Sequence, residues 1–226
     1  LRNLDESLPG TSKEVMSIAR FWDGNYFYGA AANESVFKAS QGGYAILHLA
    51  VHGVEDEGNP ENSYLKFAQN DSLNDGRLYA HELYDLDNKV DLAVLTACNS
   101  GTGKLVTGEG MMSLGHAFMY AGASSVLASR WEVPDISAPH LMKYFYQGLK
   151  EGLDKSAALT FAQNQFLKNE ADNITSSPFY WSGFYVVGDV EPVRSDRWQL
   201  IWILIPTIAL CLLILILWRR RFIQLT

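Results

Sequence analysis

Two runs decide how this chain folds: YAILHLAVHG, residues 44–53, and VDLAVLTACNSG, residues 90–101. Tyr44 to Val51 is an almost unbroken apolar, β-rich stretch, and Val90 to Ala97 reads the same way. Short runs without a polar face are the pattern of strands buried between two layers. The first run ends in His52-Gly53 and the second in Cys98. In open parallel sheets, ligands bind beyond the carboxyl ends of the strands. An imidazole and a thiol are therefore predicted where such a sheet does its chemistry.

Working outward, Pro9-Gly10-Thr11 followed by Glu14 reads as a turn and a capping box. Thr11 would accept from the third helical amide while Glu14 reaches back to the cap amide. Val15, Ile18, Ala19 and Trp22 continue at helical spacing. A short strand is predicted at 26–28 and a helix at 33–39, before Gly42-Gly43. A polar loop at 55–62 leads to two short strands, 64–68 and 77–79, around the turn Asn74-Asp75-Gly76. Beyond Cys98 come a Gly-rich loop and a helix with Met111, Leu114, Phe118 and Met119 inward. A strand at 124–129, helices at 137–150 and 155–169 split by Gly152, and a last strand at 179–187 complete the order. No internal repeat interrupts it. Strands separated by helices imply a mostly parallel sheet covered on both faces.

The net charge is −7 over 226 residues, with no Lys/Arg cluster before the C-terminus. That argues against a nucleic-acid partner. Two cysteines, Cys98 and Cys211, exclude a disulfide framework and a multi-cysteine metal site, and no cofactor is expected. From Ile201 to Leu217 no residue is charged. A helix over 198–218 would rise about 30 Å, enough to cross a bilayer. Trp198, Trp202 and Trp218 lie near its ends and Arg219-Arg220-Arg221 follow. The predicted organisation is thus a folded domain at 1–190, a linker at 191–197, a transmembrane helix at 198–218 and a basic tail at 219–226. Three arginines after the span, against Arg194 and Arg197 before it, favour a cytoplasmic C-terminus and a folded domain outside the cytoplasm. The chain opens on Leu1 with no signal-peptide pattern, and reads as the C-terminal part of a longer protein.

A thiol nucleophile needs a base or cation to raise its thiolate fraction, and imidazole is the usual partner. It also needs amide donors where the oxyanion forms. Gly53, lacking a side chain, can present its amide to a carbonyl, and the Cys98 amide can be the second donor. The bland alternative is a loop histidine and a small buried cysteine. Gly101-Thr102-Gly103-Lys104 invites a phosphate-loop reading, but that pattern needs Gly where Cys98 stands and Ser or Thr where Leu105 stands. His48 and His52 have zinc-ligand spacing for a helix, whereas the run is β-patterned. His48 is predicted to be a core or supporting residue, and His81, His116 and His140 read likewise. Glu132 and Asp135 follow the third strand, either as helix-start carboxylates or at the rim of the site.

LHLAVHG (47–53), LTACNSG (95–101) and GEGMMSLGHAFMYAGASSVLASRWEVPD (108–135) resemble the CHAT domain family. LPGTSKEV (8–15) and PFYWSGFYVVGD (178–189) are similar to its two borders, so the resemblance covers residues 8–189. CHAT domains group with caspases, separases and gingipains. The resemblance implies a caspase-like three-layer α/β/α sandwich and a cysteine endopeptidase with His52 and Cys98 as its dyad. The spacing of 46 residues between them (98 − 52) is close to the roughly 50 of caspases. Cys98 would attack the scissile carbonyl, the Gly53 and Cys98 amides hold the oxyanion, and His52 protonate the leaving amine. The family also implies a protein substrate and a tetratricopeptide-type regulatory domain upstream. Related peptidases use an acidic residue to hold a basic P1 side chain, a role Asp135 or Glu132 would fill. With the span, the expectation is a membrane-anchored peptidase of a bacterial inner membrane. The alternatives are a catalytically silent scaffold of the same fold, or a receptor whose ligand sensing lies in the part upstream.

Overall fold

The computed structural model describes residues 9–40, 42–54, 56, 58–69, 74–96 and 109–194. The chain divides into two units, Leu1–Val193 and Arg194–Thr226, and all the described helices and strands belong to the first. The predicted span at 198–218 lies outside the described residues. Among the described residues no helix is long and apolar enough to cross a membrane.

In chain order the elements are α1 (Pro9–Ile18), α2 (Glu34–Ala39), β1 (Ile46–Leu49), β2 (His52–Val54), β3 (Tyr64–Lys66), β4 (Arg77–Tyr79), α3 (Ala80–Leu83), β5 (Leu92–Leu95), α4 (Glu109–Tyr120), β6 (Ser125–Ser129), α5 (Ala138–Lys150), α6 (Lys155–Asn169) and β7 (Phe184–Gly188). The main sheet has the order β1-β5-β6-β7. Its first three strands are parallel, and β7 closes it antiparallel to β6. The expected mostly parallel sheet is present.

Alternation along β5 makes the layers. Ala93 and Leu95 join a core with Phe37 of α2, Leu83 of α3 and Leu114, Ala117 and Phe118 of α4. Leu92 and Val94 turn to the opposite core, with Ile18 of α1 and the inner faces of α5 and α6. A strand sends successive side chains to opposite faces, so a four-residue apolar run needs a cover on each side. Burying each such Leu or Val contributes roughly 1.5–3 kcal/mol. α5 and α6 approach closely where Gly148 meets Ala158, since a side chain on Gly148 would put its Cβ 3.1 Å from the Ala158 Cα. Asp154 caps α6 by accepting from the Ala157 amide at 2.7 Å.

Several expectations are corrected. The run at 44–51 is not one strand: it breaks after Leu49, and His52–Val54 belongs to a second sheet of order β2-β3-β4. Residues 22–28 form no strand, because the Tyr26 hydroxyl donates back to the Trp22 carbonyl at 2.6 Å and holds a bend. The last strand starts at Phe184, since Pro178–Tyr180 takes a 3₁₀ turn instead. Glu14 does not serve as a cap. α1 already begins at Pro9, and the Glu14 carboxylate is buried 3.2 Å from His48. His81 and His116 are exposed, because their helix positions face solvent. His140 is half-buried and pairs with Glu170 at 3.0 Å.

Candidate active site

The main sheet aims its parallel strands at one edge, and the register fixes what leaves it. Leu49 of β1 pairs with Leu95 of β5, and the Thr96 amide donates to the Leu49 carbonyl at 3.2 Å. His52 stands three residues beyond Leu49 and Cys98 three beyond Leu95. Cys98 and its Gly-rich loop lie outside the described residues.

His52 is 7% exposed, with Nε2 shielded from solvent. It opens β2, where it faces Lys66 of β3, and Gly53 faces Leu65. Neighbours opposite each other in an antiparallel pair share a face, which puts Lys66 beside the imidazole. Nothing in the sequence pattern pointed to Lys66, because cross-strand register is not written in either strand alone. Gly53 is buried within this strand.

Glu132 and Asp135 lie on the exposed segment between β6 and α5. Partial burial raises the Glu132 pKa first, the Asp135 carboxylate adds to the rise, and His52 opposes it. The chain therefore brings Glu132 into the electrostatic reach of both Asp135 and His52. The neighbouring Trp131 is fixed by donating from Nε1 to the Phe179 carbonyl at 2.9 Å, and its ring stacks on Phe179 at 6.2 Å. Ser129 ends β6 with its hydroxyl buried and without a hydrogen-bond partner.

A second polar group lies under the same edge. The His48 Nδ1 is 2.9 Å from the Tyr146 hydroxyl of α5. Its Nε2 is 3.2 Å from Glu14 Oε1 and 3.4 Å from Thr96 Oγ1. Burial, then the Glu14 charge, then Tyr26, pushes the Tyr146 phenol well above its ordinary pKa.

A mostly parallel sheet covered by helices on both faces defines the class, an α/β sandwich compatible with a caspase-like fold. The chain belongs to the CHAT domain family, which it matches over residues 3–189. That family is associated with the caspase-like peptidase fold. The chain is also similar to Tetratricopeptide repeat protein 28 of Mus musculus and of Homo sapiens, each 36% identical over 118 residues. The similarity covers 52% of this chain and about 5% of the length of those relatives.

Proposed function

We propose that this chain is a membrane-anchored cysteine endopeptidase in which Cys98 is the nucleophile and His52 its acid–base partner. The observation that carries the reading is the β1–β5 register. Two adjacent parallel strands in step at Leu49 and Leu95 have His52 and Cys98 equally far along the chain beyond that step. The Cys98 thiol passes its proton to His52 as its sulfur attacks the scissile carbonyl, and the oxyanion accepts from the Gly53 and Cys98 amides. His52 protonates the leaving amine, then takes a proton from the water that hydrolyses the thioester. Neither step draws on a cofactor or a metal.

Glu132 and Asp135 give the P1 subsite a preference for Lys or Arg. The Asp135 charge acts against that of Glu132, and a cationic side chain relieves that repulsion. Residues 198–218 anchor the domain in a bacterial inner membrane, with the peptidase outside the cytoplasm. A tetratricopeptide-type segment upstream regulates it, in keeping with the names of the similar proteins. A topology reporter after Thr226 tests the orientation, and a cytoplasmic signal is expected.

The deciding experiment screens residues 1–226, as wild type, Cys98→Ala and His52→Ala, against a peptide library with Lys, Arg, Asp and Leu at P1. Cleavage after Lys or Arg by the wild type alone is expected. Cleavage that survives either substitution removes the dyad. A wild type that cleaves nothing, even with an upstream repeat segment supplied, leaves the fold as a binding scaffold.

A further inference from the structure

We infer that His48 is a positioning residue, an imidazole that ties the strand leading to His52 to the strand leading to Cys98; the inference rests on the dyad reading. His48 lies on β1, four residues before His52, and Thr96 leaves β5 two residues before Cys98. One ring reaches both strands, since its Nε2 is 3.4 Å from Thr96 Oγ1. The ring is itself held from the helical layer. Glu14 of α1 stands 3.2 Å from Nε2, and the Tyr146 hydroxyl of α5 stands 2.9 Å from Nδ1.

The surroundings make this group more than incidental. Glu14 is 3% exposed, Thr96 5% and Tyr146 2%. Polar groups placed that deep cost free energy unless they satisfy one another. An apolar filling would serve a merely structural junction of α1, β1, β5 and α5 equally well. The N–H sits on Nε2 beside Thr96 Oγ1, while Glu14 Oε1, 3.2 Å from the same nitrogen, makes no hydrogen bond and adds only its charge to that edge. Nδ1 then accepts from the Tyr146 hydroxyl. Burial and the Glu14 charge both keep that phenol protonated, and so a donor. The ring is thus oriented from two sides, with its Nε2 edge toward Thr96. Through the hydroxyl, that edge holds Thr96, the residue that follows β5. The hydroxyl and the Thr96 amide, which bonds to Leu49, both hold this residue to β1.

The test uses residues 1–226 and reads kcat and KM separately on the peptide the wild type cleaves, beside the thermal midpoint. Thr96→Val keeps the shape and removes the hydroxyl. It is expected to lower kcat by roughly ten- to a hundredfold, the scale of a small misplacement at a reacting group. KM should stay within about twofold, since the ground-state contacts with substrate are untouched. Thr96→Ser should restore kcat. Combining Thr96→Val with His48→Gln should lower kcat no further than the worse of the two alone, because both cut one link. A Thr96→Val enzyme with wild-type kcat overturns the inference. Should Thr96→Val fail to fold, Glu14→Gln, which keeps size and drops charge, gives the same reading: wild-type kcat overturns it and a kcat-only loss supports it. His52→Ala and Cys98→Ala leave this group intact. Cleavage that persists in either, or a wild type that cleaves nothing, sinks the dyad reading and this inference with it.

Discussion

Gly183 sits where the loop after β6 meets the start of β7, and its carbonyl accepts from the Arg130 amide at 3.0 Å. A Cβ there would lie 2.7 Å from Val133 Cγ2 and 3.1 Å from both Cε2 and Nε1 of Trp131. Carbon pairs settle near 3.5–4.0 Å, so Gly183→Ala must displace one side or the other by up to about 1 Å. Neither side is free to yield. Val133 is buried, and Trp131 is held by its bond to the Phe179 carbonyl and its stack on that ring. Overpacking of this kind costs roughly 1–3 kcal/mol. Loss of glycine's freedom in the unfolded chain offsets about 0.4–1 kcal/mol. A net loss of roughly 1–2 kcal/mol lowers the midpoint by about 2–8 °C in a unit this size. Glu132 lies between the two displaced residues, so the preference for Lys or Arg over Leu at P1 should fall as well. Thermal unfolding by circular dichroism and the ratio of kcat/KM for matched peptides measure both effects. An unchanged midpoint with an unchanged ratio would refute the packing argument outright.

Gly115→Ala is the opposite case. On α4 the added Cβ meets Val126 Cγ1 at 3.6 Å, an ordinary contact, and helix propensity then gains up to about 1 kcal/mol, read as a higher midpoint in the same scan. Ser129→Ala removes a buried hydroxyl that has no hydrogen-bond partner, and should raise stability by roughly 1 kcal/mol, read as a higher urea midpoint; a fall would mean the hydroxyl is satisfied in solution. Glu132 has its pKa raised by burial and by Asp135, so its protonated form is the one the fold favours. Its contribution to stability is full below the ordinary glutamate range and is lost as pH rises through the raised value. Glu132→Gln should flatten that part of the stability–pH curve. Wild-type preference for Lys or Arg at P1 should grow over the same interval as the carboxylate ionises, and a Gln variant with the same growth would exclude Glu132 as the cause.

The legible parts of the sequence are those where local pattern and tertiary burial agree. The LAVL run of β5 is buried at every position, and apolar on both faces is how it reads. The hairpin of β3 and β4 follows from a turn ending in Gly76, whose φ of 74° suits glycine. What pattern cannot carry is the choice between partners that lie far apart in the chain. Ala50-Val51 is as apolar as its neighbours, so nothing marks where the chain leaves one sheet for another. Glu14 fits a capping box as well as any glutamate would, but His48, 34 residues on (48 − 14), is the partner it finds in the fold. Phe179 to Trp181 has strand-forming side chains, yet Pro178 starts a turn, and the Trp181 Nε1 donates back to the Ser176 carbonyl at 3.1 Å. For the site, the place of Glu132 after β6 was readable, whereas His52, expected to close the first strand, opens β2 of the second sheet. Lys66 opposite His52, and the reach of His52 to Glu132, depend on register and loop path.

The register of β1 on β5 would serve a binding scaffold as well as an enzyme, so it is necessary to the peptidase reading without being sufficient. A slip of one residue would turn each strand's side chains to the opposite layer, and the two cores alone forbid it. The distinction has to come from groups that the fold does not need. Glu132 is such a group, because burial and Asp135 work against its charge while His52 favours it. Replacing it with a neutral residue would relieve both, and neither carboxylate has a core to support on its exposed segment. Perturbed carboxylates cluster at functional sites, and structural charge networks perturb them as well. Glu132, within electrostatic reach of Asp135 and of the buried His52, is placed as a peptidase cleaving after a basic residue would use it, and the P1 preference of Glu132→Gln against the wild type tests that role.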